Sequence, residues 1–235
     1  MKIKKSKKAF TLVELLIVIA IIGLLAGLIM PNITGALRFA NRATSTNAAK
    51  QILSSWIRYK NEVSPPMLTA KTVYDWAARL AEKVDLNEPS LWMLDFDPIV
   101  AETLSGGAIR PQTVANQIGE SGTWVVNPEF RKIPLSWEVA NSVDPSASSK
   151  VPVIWTRGLK SDGNWDMNDG VYGSVGGNIG FADGHVEWFG SLRDEKTRQG
   201  VLLIYGKTQR TYNIADAVRG GERNILRIKL SGGGE

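Results

Sequence analysis

Glu14 is the one charged residue in an apolar run of 21 residues, Phe10 to Met30. No other feature constrains the chain as much. About 20 apolar residues are enough for a helix to cross a bilayer. A carboxylate at membrane depth is costly, so its presence signals function. Ahead of the run stand Lys2, Lys4, Lys5, Lys7 and Lys8. The positive-inside tendency keeps such a leader on the cytoplasmic side, with the remainder facing outward.

Two simpler readings compete for this segment. A cleaved secretory signal has a basic start, a short apolar stretch and a small-x-small cleavage site. Here the uninterrupted stretch Leu15–Met30 is long, and its best site is Thr34-Gly35-Ala36. A plain signal anchor fits the length. Neither reading accounts for Glu14, nor for Phe10 placed directly after the small residue Ala9.

The order basic leader, Ala9, Phe10-Thr11-Leu12-Val13-Glu14, long apolar run and Pro31 resembles the N-terminus of type IV prepilins and type II secretion pseudopilins. The resemblance implies cleavage by a prepilin peptidase between Ala9 and Phe10, followed by N-methylation of Phe10. It implies that Glu14, fifth residue of the mature chain, guides assembly with other pilin or pseudopilin subunits through inner-membrane machinery. It also implies a single-pass inner-membrane precursor with its head in the periplasm, and a filament or surface location after assembly. Family leaders usually end in Gly, where this chain has Ala9.

Bulk composition fits an anchored globular protein. The chain has 235 residues, enough for one sizeable domain. Its formal charge of +5 is that of the five leader lysines, leaving 23 Lys/Arg against 23 Asp/Glu beyond them. The basic isoelectric point therefore says nothing about nucleic acid, and no nucleic-acid partner is expected. Cysteine is absent, so no disulfide staples the head even in an oxidising compartment.

The pattern predicts a leader over 1–9, one long helix over 10–62 with a transmembrane half at 10–30, and a head over 63–235. Past Pro31 the helix becomes amphipathic: Leu37, Ala40, Ala48, Ile52, Trp56 and Tyr59 recur at helical spacing. Some 50 residues of helix span roughly 75 Å. Gly23 and Gly27 form a small-xxx-small pair that permits close helix approach. Ser64-Pro65-Pro66 ends the helix. A second helix is expected over Thr72–Lys83, with Thr72 and Asp75 as a capping pair.

Residues 86–150 are rich in turn signals, among them Asp97-Pro98 and Gly106-Gly107. Strands are expected at Thr123–Val126, Leu135–Val139, Pro152–Thr156, Asn178–Phe189, Gly200–Tyr205 and Ile225–Leu230. Helix first and strands last indicate an α+β, pilin-like fold: a long N-terminal helix packed on a C-terminal antiparallel sheet, mainly within 123–230.

Asp183-Gly184 between two strand-like runs reads as a two-residue hairpin turn. That register pairs Ala182 with His185, Phe181 with Val186 and Ile179 with Trp188, and puts the last four on one buried face. Gly176-Gly177-Asn178 and Phe181-Ala182-Asp183-Gly184-His185-Val186 also resemble the C-terminal motif of pilin-like proteins of planctomycetes and verrucomicrobia. The family's His ten residues before the Asp is Gly173 here.

His185 is the single histidine and there is no Cys. No Ser-His-Asp arrangement is legible, so catalytic residues are not assigned and the chain is not expected to be an enzyme. Asp162, Asn164 and Asp166 place oxygen ligands at alternating positions, as in half of a calcium loop. An EF-hand is excluded by Met167 and Gly173 at its Gly and Glu positions. Calcium in a C-terminal loop is what resemblance to major pseudopilins implies, against an ordinary Asp/Asn/Gly-rich turn. Residues 193–229 hold nine Lys/Arg against four Asp/Glu, which reads as a solvated face or a complement to acidic subunits ahead of a patch for nucleic acid or an anionic surface.

These features together imply a filament subunit. The competing reading is a membrane-anchored extracytoplasmic binding module that uses a pilin-type leader for export.

Overall fold

The computed structural model describes residues 10–119 and 122–230; the side chains of 28–32 and 34 are not included. The expected leader 1–9, with Ala9, and the Gly232–Gly234 tail lie outside the described residues. The chain divides into two units, 1–43 and 44–235.

Helix α1 runs Leu12–Glu62 without interruption in its assignment. In the first unit its large apolar side chains are exposed, from Leu12 (79%) to Leu25 (51%) and again at Leu37 and Phe39. The expected inward stripe therefore does not include Leu37 or Ala40. Periodicity fixes which face is apolar, not whether anything in the same chain covers it. Among the described residues no helix is long and apolar enough to cross a membrane. The expected span reaches residues 28–30, whose side chains lie outside that description.

In the second unit α1 is buried along one side. Ser45, Ala48, Ala49, Ile52, Leu53, Trp56 and Tyr59 recur at three- and four-residue intervals and are at most 6% exposed. They pack on a head built from α2 (Val73–Val84), α3 (Pro98–Ser105), β1 (Ala115–Ile118), β2 (Thr123–Val126), α4 (Pro128–Lys132) and β3 (Trp137–Ala140). The chain continues through β4 (Pro152–Thr156), β5 (Val171–Ser174), β6 (Gly177–Phe181), β7 (Val186–Phe189), β8 (Leu202–Leu203), β9 (Arg210–Thr211), α5 (Ile214–Ala217) and β10 (Ile225–Leu226). The fold is α+β, with an antiparallel sheet ordered β10-β3-β4-β6-β7.

Helix α2 starts as its sequence dictates. Thr72 Oγ1 accepts from the Asp75 backbone N–H at 3.2 Å and donates to Asp75 Oδ2 at 2.8 Å, which satisfies an otherwise orphaned helix N–H. Helix α3 lies where a turn was expected, and α4 between two expected strands. Both begin with a capping residue followed by proline: Asp97-Pro98 and Asn127-Pro128. Proline at the first helical position needs no N–H partner and has the right φ, so the same dipeptide suits a turn or a helix start.

The head's core contains five fully buried tryptophans, Trp76, Trp92, Trp137, Trp155 and Trp165. Trp137 donates from Nε1 to the Leu91 carbonyl. Through the core runs a buried ion pair, Arg157 Nη2 to Asp97 Oδ1 at 2.8 Å. Asp97 also accepts from Ser136 Oγ and from the Ile99 N–H, and Arg157 donates to the Leu135 and Asp169 carbonyls. A buried pair of charges is tolerable only when satisfied in this way.

The β6–β7 hairpin differs from its expected register by one residue. Gly180 pairs with Val186, Ile179 with Glu187 and Asn178 with Trp188. The loop has three residues, not two: the Gly184 N–H donates to the Phe181 carbonyl, and the Phe181 N–H donates to the His185 carbonyl. Gly184 takes φ +91°, the left-handed residue that follows a type I turn in such loops. Because side chains alternate along a strand, the shift separates the four residues expected together. Asn178, Gly180, Val186 and Trp188 form one face; Ile179 and Phe181 belong to the other.

The remaining strands are shorter than expected. Gly200–Tyr205 contributes only Leu202–Leu203, paired with β9, and Ile225–Leu230 contributes only Ile225–Leu226.

Candidate functional site

Thr11 and Glu14 form a capping box at the start of α1. The Thr11 backbone N–H and its Oγ1 both donate to Glu14 Oε2 at 2.8 Å, and the Glu14 N–H donates to Thr11 Oγ1 at 3.3 Å. The Thr-x-x-Glu spacing that encodes this pattern was present in the sequence. Glu14 therefore has a local role, closing the helix end, alongside any role between chains. Phe10 is 81% exposed, and the apolar side chains that follow Glu14 are half or more exposed through Ile17. A Cβ on Gly23 or Gly27 would meet nothing within 4 Å among the described residues.

The face of β6–β7 turned to α1 carries the head's most specific contact with the helix. Asn178 Nδ2 donates to Ser45 Oγ at 2.6 Å, and Tyr172 Oη meets the same hydroxyl. Tyr172 in turn stands edge-on to Trp188, ring centroids 4.8 Å apart. Trp188 is only half-buried. Gly180 lets the backbone close on the helix, since a Cβ there lies 2.5 Å from Leu53 Cδ1.

His185 stacks on Phe181, centroids 4.4 Å apart and planes 7° from parallel, and its Nδ1 meets Asp183 Oδ1. It is exposed at the hairpin end. Its partners are those of a turn residue.

The side-chain oxygens of the three residues read as calcium ligands accept local hydrogen bonds. Asp162 Oδ1 accepts the Asn164 N–H, and Asn164 Oδ1 accepts from Ser191 Oγ. Asp166 Oδ1 accepts the N–H groups of Asn168 and Asp169. Backbone donors hold both carboxyls below their ordinary pKa: Asn164 for Asp162, and Asp169 then Asn168 for Asp166. Asp162 and Asn164 line a cleft of about 340 Å³ together with Arg193 and Arg198. Asp166 lines a different one, of about 680 Å³. Among the described residues no cluster of three or more His, Cys, Asp or Glu is arranged to hold a metal. Alternating Asp/Asn spacing here builds successive Asx turns on either side of the buried Trp165.

The larger cleft contains Glu138, which sequence reasoning missed. It sits on β3 inside a four-residue strand that is buried throughout. Glu138 Oε2 accepts from Trp155 Nε1 at 2.8 Å and from Arg227 Nη1 at 2.6 Å. Burial pushes its pKa up to about 7, against the opposing pull of Arg227. Arg227 also loses by burial, but its bonds to Glu222 and Glu138 raise its pKa on balance. Both pKa values rise, but the rise favours neutral Glu138 and charged Arg227, because Arg227 is 29% exposed and has a second carboxylate, whereas Glu138 is 5% exposed. A Glu flanked by apolar strand residues, with a distant Arg as partner, leaves no local sequence signal.

Residues 4–30 match the family model of the prokaryotic N-terminal methylation motif. A fimbrial protein of Pseudomonas aeruginosa is 27% identical over 144 residues, 57% of this chain and 92% of that protein. No solved structure matches. The methylation motif at the N-terminus, the long helix followed by an antiparallel sheet, and the fimbrial relative together support a type IV pilin-like protein.

Proposed function

We propose that the chain is cut between Ala9 and Phe10, N-methylated on Phe10, and assembled through α1 into a type IV pilus-like filament or a type II secretion pseudopilus. The exposed apolar surface of α1 carries the reading. Leu12, Val13, Leu15, Leu16 and Ile17 are all more than half exposed behind Glu14. So long an apolar surface is not stable in water and requires a bilayer or other subunits to cover it. The precursor is then a single-pass inner-membrane protein with its head in the periplasm. The helix passes from bilayer to filament during assembly, and Leu37 and Phe39 are covered by neighbouring helices. The fimbrial relative favours the pilus over the pseudopilus.

The Glu14 carboxylate is the directing group. In hydrocarbon its charge is costly unless a positive group meets it. The mature Phe10 amine of a neighbouring subunit is that group, and prepilin peptidase creates it. Mass spectrometry of the mature N-terminus tests the reading: N-methyl-Phe10 is expected. A terminus following Ala36 contradicts it.

A further inference from the structure

The last described residues, 219–230, run along one edge of the sheet. There β10 pairs with β3 through two residues, Ile225 with Ala140 and Leu226 with Val139. Of residues 222–230, Ile225 alone is buried. So short a pairing with so little burial opens more readily than a packed core. Polar contacts supply the rest of the attachment. The Asn141 N–H donates to the Asn224 carbonyl at 2.6 Å, and Arg219 meets Asp144 at 3.2 Å. Arg227 donates to Glu138 Oε2 at 2.6 Å, to the Leu159 carbonyl at 3.0 Å and to Glu222 Oε1 at 2.7 Å.

Gly220 and Gly221 stand just before this segment, at φ +79° and +67°. Two successive glycines in the left-handed region give the chain a point about which to turn. The segment also forms part of the cleft of about 680 Å³, which is lined by Arg227, Ile228 and Leu230 together with Glu138 of β3.

We propose that residues 222–230 form a strap that pivots on Gly220-Gly221, closed over Glu138 in acid and released as pH rises past neutrality. Glu138 is the sensing group. In the closed form it is buried beside Arg227 and Trp155, with Arg157 and Glu222 acting on it from further away. Lys160, Asp166 and Asp169 line the same cleft. Burial outweighs the attraction of Arg227 and Arg157 and lifts the Glu138 pKa to about 7. Opening takes Arg227 away but restores water, and a hydrated carboxyl returns toward its ordinary 4.5. The closed form therefore holds the proton more tightly. Its advantage is complete below about pH 4.5 and is lost as pH rises through about 7. Across that range the opening equilibrium gains up to about tenfold per pH unit. Opening bares the hydrogen-bonding edge of β3 at Val139 and Ala140.

Hydrogen exchange of the full-length chain in detergent micelles tests this, at about pH 5 and about pH 8, with each rate corrected for intrinsic exchange. Peptides covering 222–230 are expected to be less protected than those of the buried helix α2 at both values. They are expected to lose at least tenfold in protection between the two. Glu138→Gln, which keeps an acceptor for Trp155 and Arg227, is expected to give the strap the same protection at both. Equal protection of strap and α2 shows that only the whole head opens and overturns the inference; that comparison needs the parent chain alone. A strap whose protection does not fall with pH overturns it, as does a fall of the same size in Glu138→Gln.

Discussion

Asn178 on β6 and Ser45 on α1, 133 residues apart, are joined by a buried hydrogen bond of 2.6 Å from Nδ2 to Oγ. It fixes the sheet's register against the helix, because a slip by one residue turns Asn178 away and brings Ile179 to face the hydroxyl. Ser45→Ala leaves the Asn178 amide short of a buried partner and costs about 1–3 kcal/mol. Asn178→Ala alone has a similar cost, and the double variant loses less than the sum of the two. Urea unfolding of the four chains measures this; strict additivity shows the contact to be incidental.

Gly180→Ala places a methyl 2.5 Å from Leu53 Cδ1 and 3.0 Å from Ile154 Cγ2, both in the core. Overpacking of this kind costs about 1–3 kcal/mol. Trp188→Ala removes a half-buried ring that packs on Tyr172 and costs less than the roughly 3–5 kcal/mol of a fully buried aromatic. Thermal melts rank the two. A Trp188 loss of the full size restores the two-residue turn and the face it implies.

These positions also mark how far the sequence could be read. Helix α1, the Thr72 cap, β2 and β4 were legible because propensity, period and capping all agree locally. The hairpin was located but misregistered, since Asp-Gly serves two-residue and three-residue loops alike. Helices α3 and α4 were hidden because Asp-Pro and Asn-Pro start helices as readily as they make turns. At the N-terminus Phe10 and Glu14 stood out by chemistry in an apolar run. Glu138 did not, because its partners Trp155 and Arg227 come from 17 and 89 residues away.

Glu138 gives the head a pH dependence of its own. Its folded pKa of about 7 lies above the ordinary 4.5, so folding favours the protonated form. That contribution is fully present below about pH 4.5 and is lost as pH rises through about 7, amounting to about 3 kcal/mol. Glu138→Gln, which keeps an acceptor for Trp155, is expected to be more stable than the parent at pH 8 and nearly equal to it at pH 4.5. Melts across that range test it. A variant less stable at pH 8 shows that the ion pair with Arg227 outweighs burial.

Arg157→Met is expected to be far more damaging. It leaves Asp97 charged and buried with only Ser136 and the Ile99 N–H, and breaking one side of a buried pair costs about 3–5 kcal/mol. Replacing both residues, as Arg157→Met with Asp97→Asn, recovers part of the loss. Denaturant midpoints of the single and double variants decide it. Equal midpoints show that the two charges do not depend on each other.

The assembly account turns on the charge of Glu14, which must be separated from its capping of α1. Glutamine closes a capping box as glutamate does, so Glu14→Gln keeps the bonds to Thr11 and removes only the charge. The decisive measurement is the fraction of full-length chain recovered in sheared filaments, for Glu14→Gln beside the parent. The expected result is a stable protein processed to N-methyl-Phe10 and held in the membrane, with filament incorporation reduced at least tenfold. Incorporation at the parent's level would mean that Glu14 acts only as a helix cap, and would contradict the proposed pairing with a neighbouring amine.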